Sequence, residues 1–210
     1  MSKKFNIYKG WEHLIGNIMT AVDIETTGKV AGYHEIVQIA IVPLDEDYNP
    51  LPHVLPFYTN IKPKHPDRMG REAQDVHGLD ITELQQTAPS QEKAADMFFD
   101  WYDNLNIPLY HHIVPLAHNW PFEFSFIQQW LGYETMNNMF HGMARDSIRL
   151  ALSINDWCHL HGEKMPFKHV SLSYLCDFFK IERIGTAHDA LSDALACATL
   201  YRTLLQRFPF

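Results

Sequence analysis

The residues of this 210-residue chain that can do chemistry fall in three short stretches. In Asp23-Ile24-Glu25-Thr26-Thr27-Gly28, two carboxylates stand two residues apart. On a β-strand that spacing puts both side chains on one face. Like charges held so close repel unless cations neutralise them, and hard oxygen donors select Mg²⁺ or Mn²⁺ over zinc. The second stretch, His118-Asn119-Trp120-Pro121-Phe122-Glu123, reads as a strand-to-helix junction. It places Glu123 in a first helical turn, where the dipole favours a negative group. The third is Ala187-His188-Asp189-Ala190-Leu191-Ser192-Asp193-Ala194. Five residues of ideal helix turn through roughly 500°, so the two side chains share a cleft only if His188 precedes the helix. Taken singly, each stretch has a plainer reading: a polar strand end, a good N-terminal helix residue, a surface or capping histidine. Their combination carries the chemistry.

The elements around these stretches must bring them together. Residues 18–24 and 35–43 are β-branched and bounded by turn residues, and so read as strands. Residues 54–61 read as a third strand, with Pro56 implying an edge; residues 61–71 read as a loop. Ser90 caps a helix to about Leu105 whose apolar face is Ala94, Ala95, Phe98, Trp101 and Tyr102. A strand at 112–117 precedes a helix from Pro121, proline being tolerated in a first turn. Asp146 caps a helix at 147–160, and 171–179 and 189–206 read as the last two. Alanines at 187, 190, 194, 196 and 198 suit a helix lying close on a sheet. Strands first, then strands alternating with helices, predict an α/β fold around one central sheet. No repeat or Gly/Ser linker divides the chain, which reads as one domain over 1–210.

Together the three stretches resemble the DEDDh family of 3′→5′ exonucleases, which includes polymerase proofreading subunits, RNase T and oligoribonuclease. The resemblance runs from about Met19 to Leu204. Asp23 and Glu25 match the first motif, His118-Asn119 with Phe122 and Glu123 the second, and His188 with Asp193 the third. Val76-His77-Gly78-Leu79 is similar to the family's V-H-G-I turn, and Asp146-Ser147 to its D-T at the fifth strand. The resemblance implies a ribonuclease H-like fold, with a mixed five-stranded sheet flanked by helices. It implies two divalent cations, Mg²⁺ or Mn²⁺, held by Asp23, Glu25, Glu123 and Asp193, with His188 as general base. It also implies that Thr26, Thr27 and Gly28 cradle the terminal nucleotide, with Asn119 orienting the junction or the phosphate. His77 then either lines the nucleotide pocket or only shapes its turn. One position departs from the pattern: the second motif ordinarily ends in aspartate, and residue 123 is glutamate. The extra methylene either replaces a water or misplaces an ion, so the alternative is an impaired binder of nucleic-acid ends or a polymerase-associated subunit.

Charge constrains the partner. Seventeen basic residues against 25 acidic ones give −8, which argues against tight, non-specific duplex binding. Two bound divalent cations would halve that excess. The balance fits a protein that grips one 3′ end of single-stranded DNA or RNA, or is delivered by a polymerase or other partner. Lys62, Lys64, His65, Arg68 and Arg71 form the one basic stretch, read either as a nucleic-acid guide or as a solvated loop. Cys158, His159 and His161 lack a second ligand pair and read as helix residues rather than a metal site. Arg207-Phe208-Pro209-Phe210 offers a hydrophobic end for a partner. Three scattered cysteines, no apolar run of roughly 18 residues and no apolar stretch behind Lys3 and Lys4 predict a cytoplasmic protein without a signal peptide or membrane span.

Overall fold

In the computed structural model, which describes residues 12–208, β1 (Ile18–Thr26) runs through the middle of a five-stranded sheet. On one side it pairs antiparallel with β2 (Ile36–Pro43), which pairs antiparallel with the edge strand β3 (Phe57–Asn60). On the other side β4 (Ile113–Ala117) and then β5 (Arg145–Asp146) run parallel to it. The expected mixed sheet is therefore present, in the order β3-β2-β1-β4-β5.

Alternation along the strands builds two cores. Ile18, Val22 and Ile24 face a cluster around Phe98, Phe126 and Ile127. These belong to the helices α3 (Gln91–Asn104) and α4 (Trp120–Leu131). Met19 and Ala21 face the opposite cluster, formed with α6 (Ser147–Leu160), α7 (Leu172–Phe179) and α8 (Ala190–Arg207). Ala190, Ala194 and Ala198 lie on one side of α8 and meet Ala21 and Ala40 of the sheet in that cluster. Small side chains on both surfaces let helix and sheet approach closely. Asp23 and Glu25 continue the Met19–Ala21 face, so the same alternation that builds this core aims both carboxylates toward α8.

The caps follow the sequence closely. Ser90, Asp146 and Ser171 each accept a backbone N–H at the start of α3, α6 and α7. Asp189 caps α8, which leaves His188 outside the helix as the two-residues-on-one-cleft argument required.

Several local readings need correction. The third strand is shorter than 54–61, because pairing with β2 covers only Phe57–Asn60. The stretch 61–71 is not wholly loop: a 3₁₀ turn occupies Pro66–Arg68, and Arg71 begins α1 (Arg71–His77). Sequence periodicity is too short to announce α1, α2 (Ile81–Thr87) or α5 (Tyr133–Met139), seven residues each. The V-H-G-L segment is the end of α1, with Gly78 at φ 71° as its left-handed C-cap. Pro115 sits inside β4, where a missing N–H normally excludes proline. The Ile113 carbonyl accepts from His141 on the β5 side, so Pro115 two residues on also faces that side, before pairing with β5 begins at Leu116.

The basic stretch is largely occupied on the surface. Lys64 pairs with Glu92 at 2.6 Å, Arg71 lies 3.8 Å from Asp75, and Arg68 covers the Tyr33 ring. His161 stacks on Trp157 while Cys158 is buried in the core, an arrangement of packing rather than ligation. Phe208 packs against Phe167 of its own chain. The rest of the C-terminal hydrophobic end, Pro209 and Phe210, and the N-terminal segment 1–11 lie outside the described residues. Cys158, Cys176 and Cys197 are free and buried. Among the described residues no helix is long and apolar enough to cross a membrane.

Candidate active site

The three stretches converge at the carboxyl ends of β1 and β4. Ligand atoms of Glu25, His188 and Asp193 lie within 4.8 Å of one another. The His188 Nδ1 is 4.0 Å from Asp193 Oδ2. His188 has a left-handed backbone, φ 63°, and an exposed ring. Asp193 lies in the first turn of α8 and is buried. Glu123 lies in the first turn of α4, 3 % exposed, and its Oε2 is buried without a hydrogen-bond partner.

Electrostatics show how strained this cluster is as a set of anions. Burial raises the Asp23 pKa well above the ordinary carboxylate value, and repulsion from Glu123, Glu25 and Asp193 adds to it. Glu25 is pushed up to about 8 by burial, then by Asp193 and Asp189. Glu123 is also raised well above its usual value, by burial and by Asp146. Asp193 is raised by burial, with Arg183, His188 and the His188 backbone amide pulling the other way. Four carboxylates with raised pKa values and one unpartnered buried oxygen fit a hard divalent cation, since a cation would supply the missing partner and discharge the repulsion.

Two clefts adjoin the cluster. One, of about 370 Å³, is lined by Asp23, His118, Asn119, Arg183, His188 and Asp193, with Ser171 and Ser173 on its wall. The other, of about 220 Å³, is lined by Glu25, Thr26, Gly28, His77 and Phe122, with Lys29 and Glu72 paired at 2.6 Å. The larger is on the scale of small-ligand sites, and the smaller falls below it. Thr26, Gly28 and His77 therefore share one cleft, whereas Asn119 lies in the other.

Thr27 lines neither cleft. It is fully buried, its Oγ1 accepts from the Glu35 N–H at 3.0 Å, and its own N–H donates to the Glu35 carbonyl. It shapes the turn after β1 rather than presenting a side chain. Gly28 lacks a side chain for a nearby reason: a Cβ there would lie 2.3 Å from the His34 ring. Asn119 has φ 91° and is exposed, its side chain capping nothing, so a strained residue stands at the cleft. His77 accepts from the Leu79 N–H through Nδ1, which leaves the proton on Nε2, and burial lowers its pKa. His118 faces Ser147 Oγ at 2.7 Å through Nδ1, and burial holds its pKa near 4, so it is neutral.

Arg183 has no motif to reveal it in the sequence. Its guanidinium donates to Asp193 Oδ1 at 2.5 Å and to Ser173 Oγ at 3.1 Å. With one Asp193 oxygen so engaged, the other faces His188. Asp146 reads from the sequence only as a landmark and a cap, yet it also accepts from the Trp120 N–H at 2.9 Å, fixing the start of α4 and hence Glu123.

The sequence matches the family model for exonucleases of the RNase T type over residues 20–201. Among solved structures, exonuclease I from Methylocaldum szegediense superposes with a TM-score of 0.70 at 20% identity, covering 92% of this chain and 41% of that one. Exonuclease I of E. coli in complex with a 5cy-dT13 oligonucleotide gives 0.67 at 17%, over 92% and 41%. The Mg²⁺- and Mn²⁺-bound form of Pop2p from S. pombe gives 0.64 at 17%, over 90% and 83%. The chain thus spans less than half the length of the exonuclease I proteins and shares the ribonuclease H-like exonuclease fold of these structures. A search of curated proteins finds no match.

Proposed function

Because the chain belongs to the RNase T-type exonuclease family, we propose that it is a metal-dependent 3′→5′ exonuclease of the DEDDh type, acting as one domain on single-stranded DNA or RNA. The observation that carries this reading is the meeting of Glu25, His188 and Asp193 within 4.8 Å at the end of β1. The oligonucleotide held by E. coli exonuclease I and the Mg²⁺ and Mn²⁺ in Pop2p support the substrate and cation classes.

Asp23, Glu25 and Asp193 would hold one divalent cation, and Asp23 with Glu123 a second. Such cations supply Lewis acidity at the scissile phosphate and at the leaving 3′-oxygen. The chain's own residues do the rest. His188, exposed at the mouth of the larger cleft, takes a proton from the attacking water. Thr26, Gly28 and His77 form the wall for the terminal nucleotide, and the buried His77 Nε2 has no hydrogen-bond partner of its own there. Asn119 faces the phosphate side from the larger cleft. Glu123 serves as a ligand despite its added methylene, because its carboxylate is buried beside Asp23 with an oxygen to spare. Products would be nucleoside 5′-monophosphates. The three buried free thiols support a cytoplasmic setting.

The test is cleavage of a 5′-labelled oligonucleotide by wild type and Asp193→Asn, with Mg²⁺, Mn²⁺ or a chelator. Wild type should give a ladder only with a cation, and Asp193→Asn should not. Strand retention without shortening in every condition would favour the end-binding alternative instead.

A further inference from the structure

His188 stands in an awkward place for a reacting group. It is exposed, left-handed and outside α8, and a left-handed backbone is costly for a residue with a side chain. Something must hold it. The two residues that follow are bound from β2 and the edge strand β3. Tyr58 on β3 donates its hydroxyl to Asp189 Oδ2 at 2.5 Å, bridging 131 residues of sequence. Asp189 Oδ1 meanwhile accepts from the Ser192 N–H and caps α8. Gln38 on β2 accepts from the Ala190 N–H at 2.8 Å through Oε1. Its Nε2 donates to Tyr58 at 3.2 Å and to Asn60 at 2.8 Å. Gln38 is 3 % exposed and lies opposite Glu25 in the β1–β2 register. The residue that grips the start of α8 is therefore the cross-strand neighbour of a site carboxylate.

From this network we infer that Tyr58 and Gln38 are positioning residues for His188. They fasten Asp189 and Ala190 to the sheet edge, and so fix where the imidazole stands relative to Asp193 and Glu25. The inference deepens the nuclease reading and rests on it. Neither residue lines either cleft, so neither touches the substrate. Capping alone does not account for the arrangement, because Asp189 caps through one oxygen and gives the other to Tyr58. Burial and Asp189 push the Tyr58 hydroxyl up to about 12, so it stays a donor at any working pH. The sheet edge thereby becomes part of the active-site frame, and β3 has a purpose beyond completing the sheet.

Tyr58→Phe removes one hydroxyl and keeps the ring. In steady-state cleavage of a single-stranded oligonucleotide, kcat should fall about ten-fold, the worth of one hydrogen bond to a charged group, with KM within two-fold. Amide exchange at Ala190, read without cation or substrate, should quicken by a similar factor, while the unfolding midpoint moves little. Asp189→Asn keeps an oxygen for the cap, and the double variant should be no slower than the slower single. Unchanged kcat in Tyr58→Phe overturns the inference, as does slowed turnover with unchanged exchange at Ala190. The two readings fail separately. An inactive wild type whose Tyr58→Phe loop still loosens sinks the nuclease reading and the positioning role with it, but leaves the clamp. An active wild type with an indifferent Tyr58→Phe sinks only the inference.

Discussion

Replacing Glu25 by glutamine should make the cation-free protein more stable, by an amount that depends on pH in a set direction. The folded protein holds the Glu25 proton up to about pH 8, whereas the unfolded chain releases it near 4.5. Between those values the folded state carries a proton that the unfolded state lacks, so wild-type stability falls as pH rises through the window. Each unit of displacement is worth about 1.4 kcal/mol. At pH 8 the charge on this buried side chain therefore costs the fold on the order of 4 kcal/mol. Glutamine has the same shape and never ionises. Its advantage should be under about 1 kcal/mol at pH 5 and grow to that figure at pH 8, roughly 8–16 °C in melting temperature for a domain of this size. Saturating Mn²⁺ should reverse the order by stabilising wild type through binding. The assay is thermal unfolding of both proteins at pH 5, 6.5 and 8, with chelator and then with Mn²⁺. Equal melting temperatures at pH 8 in chelator, or an advantage as large at pH 5, would refute the picture of a repelling cluster awaiting a cation.

Asp23→Ala should abolish cleavage while leaving the unfolding transition intact, since removing one of several repelling carboxylates relieves strain; near-normal turnover would remove Asp23 from the site. His188→Ala should slow turnover by about 10²–10⁴-fold with little change in Mn²⁺ affinity by titration calorimetry, whereas equal losses of both would make it a ligand. Glu123→Asp should stay active with a shifted Mn²⁺/Mg²⁺ ratio and Glu123→Ala should be the weakest, because Mg²⁺ demands the stricter geometry; an alanine variant equal to wild type in both metals would end its role. If only Glu123→Asp cleaves, the natural protein is the silent binder.

The sequence announces an element when its signal is repeated along many residues. The strands around Asp23 and 35–43, the long helices and the caps Ser90 and Asp146 are all of this kind. It also shows that His188 must precede its helix, because helical periodicity forbids the alternative. Seven-residue helices such as α1 and α5 offer barely two turns of pattern and go unseen. Residues whose purpose lies in a long-range contact are equally hidden. Arg183 is one basic residue in an unremarkable loop until Asp193 is placed beside it, and Tyr58 reads as an ordinary edge-strand aromatic until it meets Asp189. Thr27 shows the opposite case: it sits within a motif, yet its hydroxyl is spent on Glu35.

The central claim is that the cluster removes nucleotides from the 3′ end of a strand, and single-turnover cleavage of one oligonucleotide labelled separately at each end tests it most directly. With Mg²⁺ or Mn²⁺ the 3′ label should appear first as a nucleoside 5′-monophosphate, while the 5′-labelled strand shortens one residue at a time. Release of the 5′ label first, or internal fragments bearing either label, would contradict the account.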